Sequence, residues 1–211
     1  MNITKQRAFP TIPNKNICFP IGSILAVQLF YEKLNFRDIF SKHKSKGIDI
    51  NSLLIGLLSY KLTENFSIKE AGKWLNQEEI LDILNLERFH ERVLYKTLEL
   101  LGRNREEILS DILDSLFSVY DFEETDINLD WTSIVLYGTK ANLGKYGYSR
   151  DHRPDKLQIT VGISELANPI NIPIGVTVNK GNVLDLEHFS DTYTQVKTLL
   201  HSIAGLLMHL K

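Results

Sequence analysis

The chain has 211 residues and a mass of 24.2 kDa, which fits one or two domains and excludes a large multidomain assembly. With 43 % apolar and 24 % charged residues it has the composition of a globular chain, and its single cysteine, Cys18, excludes both an internal disulfide and a thiolate zinc site. The formal net charge of −2 argues neither for nor against a polyanionic partner, but the charge is unevenly spread: residues 1–120 hold 16 Lys/Arg and 15 Asp/Glu (+1), and residues 121–211 hold 8 and 11 (−3).

Met1 to Arg7 lacks the apolar run of a signal peptide, and no uncharged apolar stretch approaches membrane-spanning length, so a cytoplasmic protein with no membrane partner is expected. Residues 1–20, with Pro10, Pro13 and Pro20, read as an extended arm. From Ile21 the period becomes helical. Ile21–Tyr31 reads as a buried helix, Leu53, Leu54, Leu57 and Leu58 share a face, and Ser67 to Glu70 has capping-box spacing that starts a helix at Ile68 ending near Leu75. A further helix is predicted from Leu86 to Leu101, ended by Gly102, and Ile108, Leu109, Ile112, Leu113, Leu116 and Phe117 repeat an i, i+4 pattern. Residues 21–120 therefore read as a helical bundle.

Lys42-His43-Lys44-Ser45-Lys46 is a basic cluster between helices, suited to phosphates and equally to a solvated loop. Arg88, Arg92, Lys96 and Arg103 could serve a helix-turn-helix-like reader, although Glu87, Glu91 and Glu99 on the same helix favour an ordinary solvated face.

After Tyr120 the period changes to 2. Ile127, Leu129 and Trp131 alternate with polar residues, as do Leu157, Ile159, Val161 and Ile163, and then Ile172, Ile174, Val176 and Val178. The Asn168-Pro169 connection is too short for a crossover helix, so a three-stranded antiparallel meander is predicted, with one greasy and one polar face. Phe189, Tyr193, Val196, Leu200, Ile203, Leu207 and Leu210 then step by 4 and 3 along a long amphipathic helix, with Asp185 as its N-cap, whose stripe is expected to cover the greasy face. The fold class is thus α+β: an arm at 1–20, a helical domain at 21–120 and a strand-rich domain at 121–211.

Asp130 lies inside a strand, where aspartate is disfavoured, so hydrogen bonds from Asn128 or Thr132, solvation or a divalent cation must compensate. The following loop, Tyr137 to Lys156, mixes glycines, tyrosines and cations in the combination that tracks a phosphate backbone; a solvated hairpin has the same composition. The six histidines show no ligand spacing with a cysteine, and no Lys-Ser/Thr follows the glycines as a P-loop requires.

Leu129-Asp130-Trp131-Thr132-Ser133, then Gly147-Tyr148-Ser149-Arg150-Asp151-His152-Arg153-Pro154-Asp155-Lys156-Leu157-Gln158, then Ile172-Pro173-Ile174-Gly175 and Gly181-Asn182, resemble in order and spacing the opening of DDE-type insertion-sequence transposases. The resemblance spans roughly residues 22–200 and implies a partial RNase-H-like core with Asp130 as a catalytic and metal-ligating carboxylate of the family's two-Mg2+ site, which is not expected to form fully here. It implies DNA, at insertion-sequence ends, as partner, contacted by Lys140, Lys145, Tyr148, Arg150, Arg153 and Lys156. The two later carboxylates of the family have no counterpart in these residues, and Asp185, Glu187 and Asp191 match none of its catalytic positions. The expectation is a C-terminally truncated transposase that binds DNA without cutting it. The rival expectation is a non-catalytic regulator that binds the element's ends beside full-length transposase or as a homo-oligomer.

Overall fold

The computed structural model describes residues 21–44, 46–64, 67–120, 126–138, 141–148, 152–168 and 171–209, with side chains to Leu199. The arm at 1–20 lies outside the described residues, as do Pro169 and the helix positions Leu200, Ile203, Leu207 and Leu210 as side chains. The fold is α+β, with eight helices and a three-stranded antiparallel sheet among the described residues. No helix there is long and apolar enough to cross a membrane. The chain forms two compact units, Met1–Tyr31 with Lys46–Tyr95, and Glu32–Ser45 with Lys96–Lys211.

The first unit is helical: α1 (Gly22–Lys33), which runs on into the second unit, α3 (Ile50–Thr63), α4 (Ile68–Leu75) and α5 (Glu78–Leu84). The Ser67 hydroxyl accepts from the Glu70 N–H at 3.3 Å and starts α4 where the capping box predicts. α1 is buried on one face only. Ile24, Val27 and Tyr31 point inward while Leu25, Leu29 and Phe30 are exposed, because a segment apolar all round carries no sign of which face will be covered. The Tyr31 hydroxyl donates to buried Asn51 Oδ1 at 2.8 Å, satisfying both polar groups inside the core.

The helix expected over Leu86–Leu101 is instead α6 (Arg92–Arg103). Asn85 turns left-handed (φ 50°) to end α5, and the chain stays irregular until His90 Nδ1 accepts the Arg92 N–H at 3.1 Å and opens α6. Gly102 lies inside α6. The stop comes at Asn104, whose side chain donates to Leu100 O at 2.8 Å.

In the second unit α2 (Phe36–Ser41) packs on α7 (Arg105–Val119), and α7 and α8 (Asp185–His209) pack on the sheet. The strands are β1 (Ile127–Leu136), β2 (Leu157–Leu166) and β3 (Ile172–Lys180), ordered β1-β2-β3 as a meander. Asp130 pairs with Ile163 and Ile163 with Val176, and a bulge between Ser164 and Glu165 shifts the register near the β2–β3 turn. The core gathers Leu113, Leu166, Ile174 and Val196, with Leu109, Leu116, Phe117, Ile127, Leu129 and Leu199 around it.

The face beneath α8 is the predicted one only in part: Ile127, Leu129 and Trp131 of β1 and the buried Ile172 and Ile174 of β3 belong to the covered side, whereas the predicted apolar residues Ile159, Val161, Ile163, Val176 and Val178 do not. The register puts Leu129 and Trp131 of β1 on the same side as Ser164 and Gly162 of β2 and Gly175 and Thr177 of β3, and this mixed face is the covered one. The opposite side, with Ile159, Val161, Ile163, Val176 and Val178, stays open among the described residues, Ile163 at 45 % and Val176 at 44 % exposure. The α8 stripe is rotated to match: His188, Thr192 and Val196 are buried, whereas Phe189 and Tyr193 are exposed at 42 % and 53 %.

Candidate functional site

Alternation along β1 sends Asn128, Asp130, Thr132 and Ile134 to the open face. Asp130 is exposed, and its Oδ1 accepts the Trp131 N–H at 2.8 Å. Asn128 and Thr132, one side-chain step away on each side, supply neutral polar groups. Glu165 sits diagonally across the β1–β2 pair, a position about 7–8 Å away, and it accepts from Asn128 Nδ2 at 3.3 Å. Asp130 is thus a solvent-facing carboxylate on a sheet face that mixes Asn128, Thr132, Glu165 and Lys180 with Ile134, Ile163 and Val176, with Glu165 as the further acid among the described residues of that face.

Of the predicted DNA contacts, the described ones, Lys145, Tyr148, Arg153 and Lys156, lie in the loop beyond the far end of β1. Leu136 lies six residue steps beyond Asp130 on β1, about 20 Å at the rise of a β-strand. Beyond Leu136 the loop doubles back: Lys145 and Gln158 exchange both backbone hydrogen bonds at 3.0 Å. Gln158, only 1 % exposed, donates from Nε2 to Tyr148 O at 2.6 Å and Gly181 O at 3.0 Å. A Cβ at Gly147 would stand 2.1 Å from Gly181 O, and one at Gly181 would stand 2.1 Å from Gln158 O. Both positions need a residue without a side chain, because backbone atoms on the other side cannot move aside. The motif residues Gly147, Gln158 and Gly181 therefore form a clamp that pins the loop to the ends of β2 and β3.

The clamp leaves Lys145, Tyr146 and Tyr148 exposed. Arg153 is turned inward on its own loop: its Nε and Nη2 hold Asp155 Oδ1 and Oδ2 at 2.9 and 3.1 Å. That bidentate pair raises the Arg153 pKa and holds the Asp155 carboxyl below its usual range, so the guanidinium stays charged with a carboxylate already beside it at the surface. Lys156 Nζ lies 4.0 Å from Asp155. Lys140 and Arg150 fall outside the described residues. Lys180, which the sequence reading did not single out, is the cation at the end of β3 on Asp130's own face, two rows of side chains away. Extending the period-2 alternation of Val176 and Val178 by one step would have found it.

On the covered face a polar chain joins sheet to helix. Thr192 Oγ1 donates to His188 O at 2.9 Å, so the Thr177 hydroxyl donates to Thr192 Oγ1 (3.0 Å), and His188 Nε2 must then donate to Thr177 Oγ1 (2.9 Å). His188 is fully buried, with Nδ1 without a hydrogen-bond partner among the described residues, and burial is the main cause that pulls its pKa below 6.5. Trp131 Nε1 donates to Asp185 Oδ1 at 3.1 Å, which ties the first residue of α8 to β1. Asp185 is thus the first helical residue and not the cap expected from its sequence.

Among the described residues, the face around Asp130 does not offer enough carboxylates for a pair of Mg2+ ions. Two cations need several carboxylates converging on a shared oxygen, and the described face offers Asp130 and, a diagonal step off, Glu165. No protein-family model, curated protein or solved structure matches the chain.

Proposed function

We propose that the chain is a DNA-binding portion of a DDE-type insertion-sequence transposase, carrying the first strand carboxylate of an RNase-H-like core and no complete cleavage centre within these 211 residues. The observation that supports this reading is the placement of Asp130 as an exposed carboxylate within the first strand of a β1-β2-β3 meander followed by a long helix. The motif residues shared with that family, Gly147, Gln158 and Gly181, have a common physical task, which is to fix a loop of lysines and tyrosines at one end of the same sheet.

Lys145, Tyr146 and Tyr148 supply a cation and two aromatic rings at the loop surface. The end of β1 at Leu136, where the loop begins, is about 20 Å from Asp130, or about six base pairs at 3.4 Å each, so a duplex lying along β1 would reach that end of the sheet about half a turn from the carboxylate. The loop holds and orients the backbone, and sequence is read elsewhere.

Mobility shift against salt concentration tests the reading. With Lys140, Lys145, Arg150 and Lys156 as the phosphate contacts, log K should fall against log salt with a slope of about −3 to −4, and Lys145→Ala should lower its magnitude by about 1. Absence of binding at low salt would sink the proposal. Supercoiled DNA with Mg2+ should remain uncut; nicking that disappears in Asp130→Asn would show a complete centre instead. The second reading, a regulator that occupies element ends without cutting, draws on the same single carboxylate. It separates from the first if the chain lowers cleavage by an intact transposase supplied in the same reaction.

A further inference from the structure

α2 ends at Ser41, and the turn that follows carries Lys42 and His43 against α7. There His43 meets Glu107 and Asp111, which stand one helical turn apart on α7 and so share a face. One ligand atom from each of the three lies within 4.8 Å of the others. His43 Nε2 is cut off from solvent and has no hydrogen-bond partner among the described residues, while its backbone N–H is satisfied by Phe40 O at 3.2 Å. We propose that His43, Glu107 and Asp111 form a binding site for a single transition-metal dication of the Zn2+ or Mn2+ class, separate from the Asp130 face.

The donor set selects the metal. One imidazole and two carboxylates suit Zn2+ or Mn2+, whereas Mg2+ and Ca2+ prefer oxygens alone. Ligand atoms bound at about 2.1 Å around a tetrahedral ion stand about 3.4 Å apart, so the three atoms, all within 4.8 Å of one another, need to close by at most about 1.4 Å to share one ion. Asp111 and His43 are half-buried and Glu107 is exposed, which leaves an approach from the solvent side.

A competitor is already in place. Lys42 Nζ donates to Asp111 Oδ2 at 2.8 Å, an ion pair that an arriving dication must break. This makes a prediction that a merely structural acid cluster would not: removing the lysine should tighten metal binding, and removing a ligand should weaken it.

Isothermal titration of the full, chelator-treated chain with ZnCl2, and separately MnCl2, provides the test. One ion per chain is expected. Lys42→Met should raise the affinity about tenfold, and His43→Ala and Glu107→Gln should each lower it tenfold or more. Glu107→Gln alters an exposed side chain, so its fold, checked by circular dichroism, should match the parent. Zn2+ binding that is indifferent to both ligand substitutions, or absent up to millimolar metal, overturns the site. Weaker binding in Lys42→Met overturns it as well. None of these readouts depends on DNA, so their failure leaves the reading of Asp130 and the loop untouched.

Discussion

A methyl group on Gly162 would stand 2.5 Å from Thr177 Oγ1 and 2.7 Å from His188 Nε2. That one missing Cβ is what lets a histidine from α8 reach a threonine on β3 across the sheet. The imidazole is held neutral there, and its titration follows. Above about pH 6.5 the ring is neutral in both the folded and the unfolded chain. As pH falls below 6.5 the unfolded chain takes up a proton while folded His188, with its lowered pKa, does not. The unfolded state then binds more protons, so stability present at pH 7 should decline on acidification through this window. Thermal unfolding between pH 7.5 and 5.5 measures it, and His188→Gln should flatten the slope; equal slopes in the two proteins would rule the account out. The sequence disclosed this histidine only as one of six, because neither its depth nor its partners follow from spacing.

At the scale of elements, β2 is held from both ends of its neighbours by one side chain. Gln158→Leu keeps the volume but strips the donor from Tyr148 O and Gly181 O, leaving two carbonyls without that partner at a cost of roughly 2–4 kcal/mol. Urea unfolding should register that loss, and protease should cut within residues 141–148 faster than in the parent chain. An unchanged midpoint would mean that the clamp does not hold the loop. The strands themselves were legible from alternation, with β1, β2 and β3 near their predicted places. The orientation of α8 was not. Its apolar stripe marked Phe189 and Tyr193 as inward, yet both are exposed, since the ground beneath the helix is Gly162, Gly175 and Thr177 and accepts His188 and Thr192 instead. Periodicity finds a stripe, but the partner face decides which residues of it are buried.

At the scale of the whole molecule the consequence, among the described residues, is an open sheet face that carries exposed apolar side chains. Ile134, Ile163 and Val176 are each close to 45 % exposed and lie on the side opposite α8. Such a face promotes association in solution. The double substitution Ile163→Thr with Val176→Thr should raise solubility in a precipitation assay and shift the unfolding free energy by no more than about 1 kcal/mol. A large loss of stability would mean that the face is packed after all. Asp130 sits on this same face, so its exposure and that of its apolar neighbours have one origin in the register.

The sequence by itself determined the α+β class, the meander and its long helix, the start of α4, and the side of β1 on which Asp130 falls. These depend on alternation and capping, which act over a few residues. Only the tertiary structure decided that α8 covers the mixed face, that Arg153 pairs with Asp155, that Gln158 ties three segments together, and that His43 meets Glu107 and Asp111. Those outcomes bring together residues between 2 and 68 positions apart, through register, backbone clearance and hydrogen-bond accounting that no local pattern encodes.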